Sequence, residues 1–554
     1  MDFDRKAINK RFNAMRSESN KWRPAWREIR DYIAPTHGFF EYDMPDWGKR
    51  IDHERIVNGH AMRSLNTLAS GMTSGLTSPS RPWFALGSAD PDLADFQPVK
   101  EWMSIVQQRI MAVFSKSNIY QTLHSLYSEI GGFGTAAILV MPDYKTVIRA
   151  IKFTIGEYYI AQDNDSRVDS FARQYWMTVG QMVKDFGIEN CSQSIQNMYR
   201  NDQVDQNRLV RHLIEPNDKR IDGHADFQGK AWRSVYWEDA GNVDKCLRVS
   251  GFEDFPVMAP RWQTRTSQDI YGRGPGWEAL GDVKMLQKME RDGLLALDKV
   301  VDPPVQVLGE VDHVNLFPGG ITRSSLVTPN AGVKAAYQIN PDFNAINQKI
   351  MTVEGRIDKS FYADLFMMIS NDQRPQVTAR EIVERHEEKL QALGPVLEGL
   401  ISELLNPLVD RTFGIMQRAG LIPPPPPEIQ GMELKVEYIS VLAQAQKMMG
   451  TTAIEQTVRF VGAMGAAVPE VLDNLDHDET VRKYADMVGV PPEMIRSEEE
   501  VATLRKARAE QQAAEQAAAA TERMVEGAKT LSDTPVGQNS ALDVVMAGFG
   551  GTRQ

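Results

Sequence analysis

Apolar positions recur at helical spacing through the middle of the chain. After the turn Gly272-Arg273-Gly274-Pro275-Gly276, Leu280, Val283, Leu286, Met289, Leu294 and Leu297 predict one helix to about Val301. Asp302-Pro303-Pro304 ends it, because proline has no N–H to continue the ladder. An insert from Val305 to Pro341 follows, with strand-like runs at Val305–Leu308 and Ser325–Val327. Turns at Pro318-Gly319-Gly320 and Pro329-Asn330-Ala331-Gly332 punctuate it. A second helix is predicted from Phe343 to about Ile369, then a polar break over Ser370–Val377. Thr378-Ala379-Arg380-Glu381 fits a capping box and opens a third helix. Leu390, Leu393, Leu397, Leu400, Leu404, Leu408 and Phe413 carry that helix to Gly420, roughly forty residues or ~60 Å. Pro395 and Pro407 are expected to kink it. Its length suits a strut in an assembly better than a compact enzyme domain.

On the N-terminal side, helical spacing marks Ile8–Ile33, Asn58–Thr77, Val99–Phe114 and Ile119–Ile130. From Thr135 to Trp262 the pattern turns β-rich. Strands are predicted at Ala136–Met141, Val147–Phe153, Tyr158–Ala161, Ser170–Met177, Arg208–Ile214, Trp232–Trp237 and Leu247–Gly251, with one short helix at Val179–Phe186. Beyond Gly420, five prolines (Pro423 to Pro427) form a stiff spacer. Leu434–Ile439 alternates like a strand. Helices are predicted at Leu442–Met449, Ile454–Met464, Val468–Leu475 and His477–Met487. Glu498–Leu531, rich in Ala, Glu and Gln, reads as a solvated helix or as disorder, and Ser532–Gln554 as a flexible tail.

The 554 residues give room for several domains, and the net charge of −12 argues against a protein that grips DNA by neutralising its phosphates. Two cysteines, Cys191 and Cys246, supply neither a disulfide framework nor a zinc cluster. No apolar run reaches the ~20 residues of a membrane span, and the N-terminus lacks the apolar core of a signal peptide. Gly131-Gly132-Phe133-Gly134 and Gly272-Arg273-Gly274-Pro275-Gly276 look like phosphate cradles. Neither has the GxxxxGK[ST] pattern, the first precedes a strand, and Pro275 removes a donor from the second. The nine histidines form no HExxH pair, and His386 among Glu384, Glu387 and Glu388 reads as a solvated helix face. No nucleophile elbow is present. These residues offer no enzyme, no metal and no cofactor.

Several stretches taken in order carry a family likeness: Arg81-Pro82-Trp83-Phe84, Ser117-Asn118-Ile119-Tyr120, Gly132-Phe133-Gly134-Thr135-Ala136 and Tyr271-Gly272-Arg273-Gly274-Pro275. Pro303-Pro304, Val377-Thr378-Ala379-Arg380-Glu381-Ile382, Leu393-Gly394-Pro395-Val396, Leu404-Leu405-Asn406-Pro407-Leu408 and the proline run complete the series. Over roughly residues 5 to 490 the chain resembles the head-to-tail connector, or portal protein, of short-tailed bacteriophages. The resemblance implies a mainly α, α+β elongated subunit in a dodecameric ring at one capsid vertex. It implies a wing (1–271), a first stem helix (272–302), a clip (303–341), a second stem helix (342–369) and a tunnel loop (370–378). A long wing helix with a strand (379–440), crown helices (441–500) and a flexible tail (501–554) follow. The implied partners are further copies of the chain, double-stranded DNA, the terminase large subunit, capsid and scaffolding proteins, and tail adaptor or nozzle proteins. The implied place is the virion, with assembly in the host cytoplasm. The acidic balance suits a conduit, since tightly held phosphates would oppose sliding.

Three sets of residues follow as expectations. In the tunnel loop, Asn371, Asp372, Gln373, Arg374 and Gln376 face DNA. Arg374 either forms a cationic constriction or pairs with Asp372 or with a neighbouring subunit's carboxylate. On the second stem helix, Lys349, Arg356 and Lys359 share one face by their spacing. That face looks either at the lumen or at Glu354, Asp358 or a neighbouring helix. In the clip, Glu310, Asp312, His313, Phe317 and Arg323 contact motor and tail proteins, or join clip to clip. The competing reading is an elongated virion adaptor or scaffold without a channel, which ring formation would separate from a portal.

Overall fold

A computed structural model of the chain describes residues 5–40, 55–88, 96–224, 226–239, 246–308, 311–324, 332–337, 340–371, 393–429, 434–439, 451–465, 470–471, 475–488, 496 and 498–532. In chain order the helices are α1 (Arg5–Tyr32), α2 (His60–Leu76), α3 (Gln97–Lys116), α4 (Ile119–Phe133), α5 (Val179–Phe186) and α6 (Gln193–Arg200). They continue with α7 (Pro275–Val301), α8 (Phe343–Ser360), α9 (Ala363–Asn371), α10 (Asn406–Arg418), α11 (Thr451–Gly465), α12 (His477–Val488) and α13 (Glu498–Ser532). The strands are β1 (Phe84–Ser88), β2 (Ala137–Asp143), β3 (Val147–Phe153), β4 (Tyr158–Gln162), β5 (Val168–Thr178), β6 (Asn207–Pro216) and β7 (Trp232–Glu238). Then come β8 (Arg248–Phe252), β9 (Val257–Met258), β10 (Val305–Leu308), β11 (Val311–His313), β12 (Arg323–Ser324), β13 (Gly332–Ala335) and β14 (Leu434–Tyr438). The mixture is α+β, and contacts divide the chain into Met1–Asp476 and His477–Gln554.

In the first unit, β4 to β8 form an antiparallel meander in sequence order. Its two faces follow the period of two. Tyr159, Ala172, Leu213 and Val235 are paired across four strands and are covered by Ile8, Phe12 and Met15 of α1. Phe12 meets Tyr159 and Trp237 edge-on at 5.4 and 5.7 Å. The next row, Arg173, His212 and Tyr236, lies on the other face, where α5 and α6 close a second cluster. A capping box between Thr178 and Gln181 starts α5. The smaller sheet, in the order β3-β2-β9, has Ala137–Val140 fully buried at its centre. Strand β1 pairs with β14, Phe84 opposite Tyr438.

The two glycine clusters meet each other. Gly134 caps α4 in the left-handed region, at φ 86°. A Cβ there would lie 2.5 Å from Gly274 N, and a Cβ on Gly272 2.5 Å from Gly134 O. One on Gly276 would overlap Gly132 O. Two backbones therefore cross in direct contact, which only glycine permits. Gly272 N donates to Thr135 Oγ1 (2.7 Å) and Trp277 Nε1 to Phe133 O (2.8 Å), so the crossing sets where α7 begins. The phosphate-cradle look of both motifs has this structural cause.

Two expectations need correction. The second stem helix is not continuous: it stops at Ser360 and restarts at Ala363. Phe361 is buried at the break, and Tyr362 sits at φ 52°, a region a bulky residue rarely adopts. The described part of the third long helix packs into the core. Leu393, Leu397, Leu400, Leu404 and Leu408 are buried, and Arg411 donates to Val140 O at 2.8 Å and Asp254 O at 3.2 Å. A π-helical turn, Ile401–Leu405, widens this helix directly before Pro407. That is where a proline ring meets the preceding turn's carbonyl and offers no N–H. Residues 501–532, expected within a flexible tail, are part of helix α13. The expected helix Leu442–Met449, the run Ser325–Val327 and the capping box Thr378–Glu381 lie outside the described residues.

Candidate functional site

α7 changes character along its length. Its first half buries Pro275, Gly276, Ala279, Val283, Leu286 and Gln287. Its second half leaves Leu294, Leu295 and Leu297 about half exposed and Val301 at 76%. α8, which packs on α7, divides in the same way. Val353 and Ile357 are buried, whereas Met351, nearer the insert, is 69% exposed. Asp342 caps α8 by accepting from Asn344 N and Ala345 N.

Polar side chains fix the buried ends to α2. Gln287 Oε1 accepts from Val57 N (2.7 Å) and Asn58 N (2.9 Å), while its Nε2 donates to Asn58 O (2.7 Å). Asn58 Nδ2 donates to Glu290 (2.8 Å) and Glu354 (3.0 Å). Asp358 lies 2.9 Å from His60 Nε2 and accepts from Ser64 Oγ at 2.7 Å. Charged acceptors make these stronger than neutral hydrogen bonds. One end of the helix pair is thus anchored, and the other extends as exposed apolar surface.

Lys349, Arg356 and Lys359 are all exposed on α8. Arg356 Nη1 stands 3.8 Å from Asp282 of α7, with 53% and 30% of the two side chains exposed. Glu354 and Asp358, the alternatives weighed for this face, are engaged with Asn58, His60 and Ser64 instead. In the insert, β10 pairs with β13 and β11 with β12, His313 opposite Arg323. His313 is exposed. Phe317 is 82% exposed, flanked by Leu316 at 59% and Ile321 at 78%. Its loop is ordered. Asn315 Oδ1 accepts from Phe317 N (3.1 Å), Gly320 N donates to Phe317 O (2.8 Å), and Thr322 Oγ1 bonds both polar groups of the Asn315 backbone.

Asn371 is the last residue of α9. Asp372, Gln373, Arg374 and Gln376 lie outside the described residues, as do Glu310 and the side chains of Asn371, Asp312 and Arg323. Leu294, Leu295, Leu297, Leu316 and Ile321 are surface residues that the sequence reading assigned to no surface. A signal was present: Leu294-Leu295-Ala296-Leu297 and Val300-Val301 are apolar around more of the helix than one buried stripe needs. Among the described residues no three His, Cys, Asp or Glu side chains converge on a metal position, and no helix is long and apolar enough to cross a membrane.

A family model described as "Bacteriophage head to tail connecting protein" matches residues 5–495. The chain is 41% identical over 551 residues to a "Probable portal protein" of Bordetella phage BPP-1, covering 99% of each chain. It is 40% identical over 555 residues to a "Portal protein" of Salmonella phage epsilon15, covering 100% of this chain and 99% of that one. A looser likeness, at TM-score 0.38 and 12% identity, is to a chain in the neck of an empty gene transfer agent particle. It covers 81% of this chain and 96% of that one.

Proposed function

From a chain that belongs to the bacteriophage head-to-tail connecting protein family and has the function of a portal protein, we propose a dodecameric ring at one capsid vertex. In this reading double-stranded DNA enters through the ring's channel, is retained there and leaves by it. A separate terminase ATPase drives entry, and the ring itself is a passive conduit. The exposed clip-side half of α7 and α8 joins copy to copy. The ordered loop with Leu316, Phe317 and Ile321 at its tip is the contact for the motor and then for tail proteins. Lys349, Arg356 and Lys359 line the channel side of the stem, and Asn371 to Gln376 form the constriction, with Arg374 its cation.

The observation that carries this reading is the exposure of Leu294, Leu295, Leu297, Val300 and Val301 along the end of α7 and of Val305 and Val307 just after it. So many exposed large apolar side chains on one stretch of chain have protein contact as their usual cause. The test is the native mass of the purified chain, with negative-stain images of the same sample. Rings near twelve times the monomer mass with a central hole are expected. An oligomer without a hole that persists at high concentration would favour the adaptor reading instead.

A further inference from the structure

The hairpin joining β2 to β3 ends in Asp143-Tyr144-Lys145-Thr146. Tyr144 is 110% exposed, the highest value among the large apolar residues described. The turn that holds it is rigid. Asp143 Oδ2 accepts from Lys145 N (3.0 Å), Thr146 N (2.8 Å) and Thr146 Oγ1 (2.9 Å). The Thr146 backbone and hydroxyl bonds hold the Asp143 carboxyl below the usual range. Val147 takes φ 69°, a costly conformation for a β-branched residue. Asn118 closes the free edge of β3 by bonding both N–H and C=O of Ala150 (2.9 and 2.8 Å). The hairpin therefore offers side chains and not a strand edge. Lys145 is exposed beside the tyrosine, and Arg149, Ile151 and Lys152 are exposed further along β3, on a chain of net charge −12.

A complementary site lies where α1 crosses the five-stranded sheet. An open cleft of about 340 Å³ has Ile8 and Pro216 as apolar wall and Arg11, Asp169, Glu215 and Asp218 among its polar residues. That volume is at the low end for small-ligand pockets and accommodates one or two side chains. Arg233 already holds Glu215, its Nε at 2.8 Å. Asp169 is different: its one side-chain hydrogen bond among the described residues comes from Ser170 Oγ at 2.9 Å. Burial pushes its carboxyl up from the ordinary value, against the lowering pull of the Ser170 bond and of the Arg11 charge. Asp218 is exposed beside it. The cleft thus sets three carboxylates, Asp169 half-buried among them, against the two arginines Arg11 and Arg233.

We infer that the Tyr144-Lys145 tip of one copy seats in the acidic cleft of the next copy around the ring. Tyr144 is the anchor, and Lys145 faces Asp169 and Asp218. The inference rests on the ring reading above. It uses two different patches of one surface, which is the head-to-tail type of contact that closes rings. Copies of net charge −12 repel, and local opposite charge of this kind offsets that repulsion at the contact.

The test measures the concentration at which the full-length chain closes into rings, by native mass and negative stain. Tyr144→Ala with Lys145→Glu is expected to raise that concentration by about tenfold or more, as loss of an aromatic anchor does. Asp218→Lys alone is expected to raise it as well, and Asp218→Lys combined with Lys145→Glu to recover most of the loss. All of these side chains are exposed, so the monomer's thermal midpoint should stay put. Hairpin variants that close at wild-type concentrations would overturn the inference. So would a charge swap that recovers nothing. Unchanged rings with weakened binding of a labelled DNA duplex would overturn it too and assign the hairpin to nucleic acid. A wild type that never closes would remove the ring reading itself, whereas equal closure of wild type and variants removes only the hairpin contact.

Discussion

Between Pro275 and Gln287, α7 buries Ala279, Val283 and Leu286 in the main hydrophobic core, whereas between Arg291 and Val301 it leaves Leu294, Leu295, Leu297 and Val301 in the open. Both halves have leucine and valine at helical spacing, so periodicity alone treats them alike. Their surroundings separate them. The first half begins at the glycine crossing, lies against α1 and α4, and is tied to α2 through Gln287. Among the described elements the second half packs chiefly on α8. The same pattern therefore serves a monomer's core at one end and a contact with another chain at the other.

The comparison breaks most completely at the glycine crossing. Gly134→Val places a β-branched residue at φ 86° and drives its Cβ into the backbone of Arg273 and Gly274. We expect a loss of about 4 kcal/mol or more, a large part of a domain's stability, read as failure to fold or a collapsed denaturation midpoint. A matched pair then sharpens it. Leu286→Ala, in the buried half, should cost about 3 kcal/mol in urea unfolding. Leu297→Asp, in the exposed half, should change monomer stability by no more than about 0.5 kcal/mol yet abolish ring assembly. Equal losses of stability from the two substitutions would mean the halves do not differ as described.

Much of the fold was legible because its patterns are local. The run Val147–Phe153 is β3 to the residue, and Val179–Phe186 is α5. Both are short segments whose own periodicity decides them. Partners separated in sequence were not legible. Leu434–Tyr438 alternates visibly, but nothing in it names Phe84–Ser88 as its neighbour. The glycine clusters read as loops or decoys, since their cause is a contact across nearly 140 residues, as from Thr135 to Gly272. The break at Phe361 and Tyr362 has no glycine or proline to announce it; burial of Phe361 and the packing of Tyr362 near Trp262 override helix propensity there. At the candidate site, Phe317 was singled out through the clip that the family resemblance implied. Leu316 and Ile321 needed the loop's geometry, because apolar residues near a turn look equally like core.

The smallest expected effect concerns Arg356. Its contact with Asp282 is long at 3.8 Å, and both side chains are substantially exposed, so screening leaves it little strength. Arg356→Ala should therefore alter stability by less than about 0.5 kcal/mol, within the range of exposed ion pairs. That small cost makes the residue useful as a probe. Arg356 and Lys359 stand among the anchoring residues Glu354 and Asp358, which bond Asn58, His60 and Ser64, and Lys349 stands a turn or more before them, yet none of the three takes part in that anchor. Reversing all three to glutamate should leave the anchored end folded and change only what the exposed face meets. A packaging or retention defect in rings of normal stability would place that face toward DNA. Normal packaging with all three reversed would turn it outward and leave the cations a solubilising role alone.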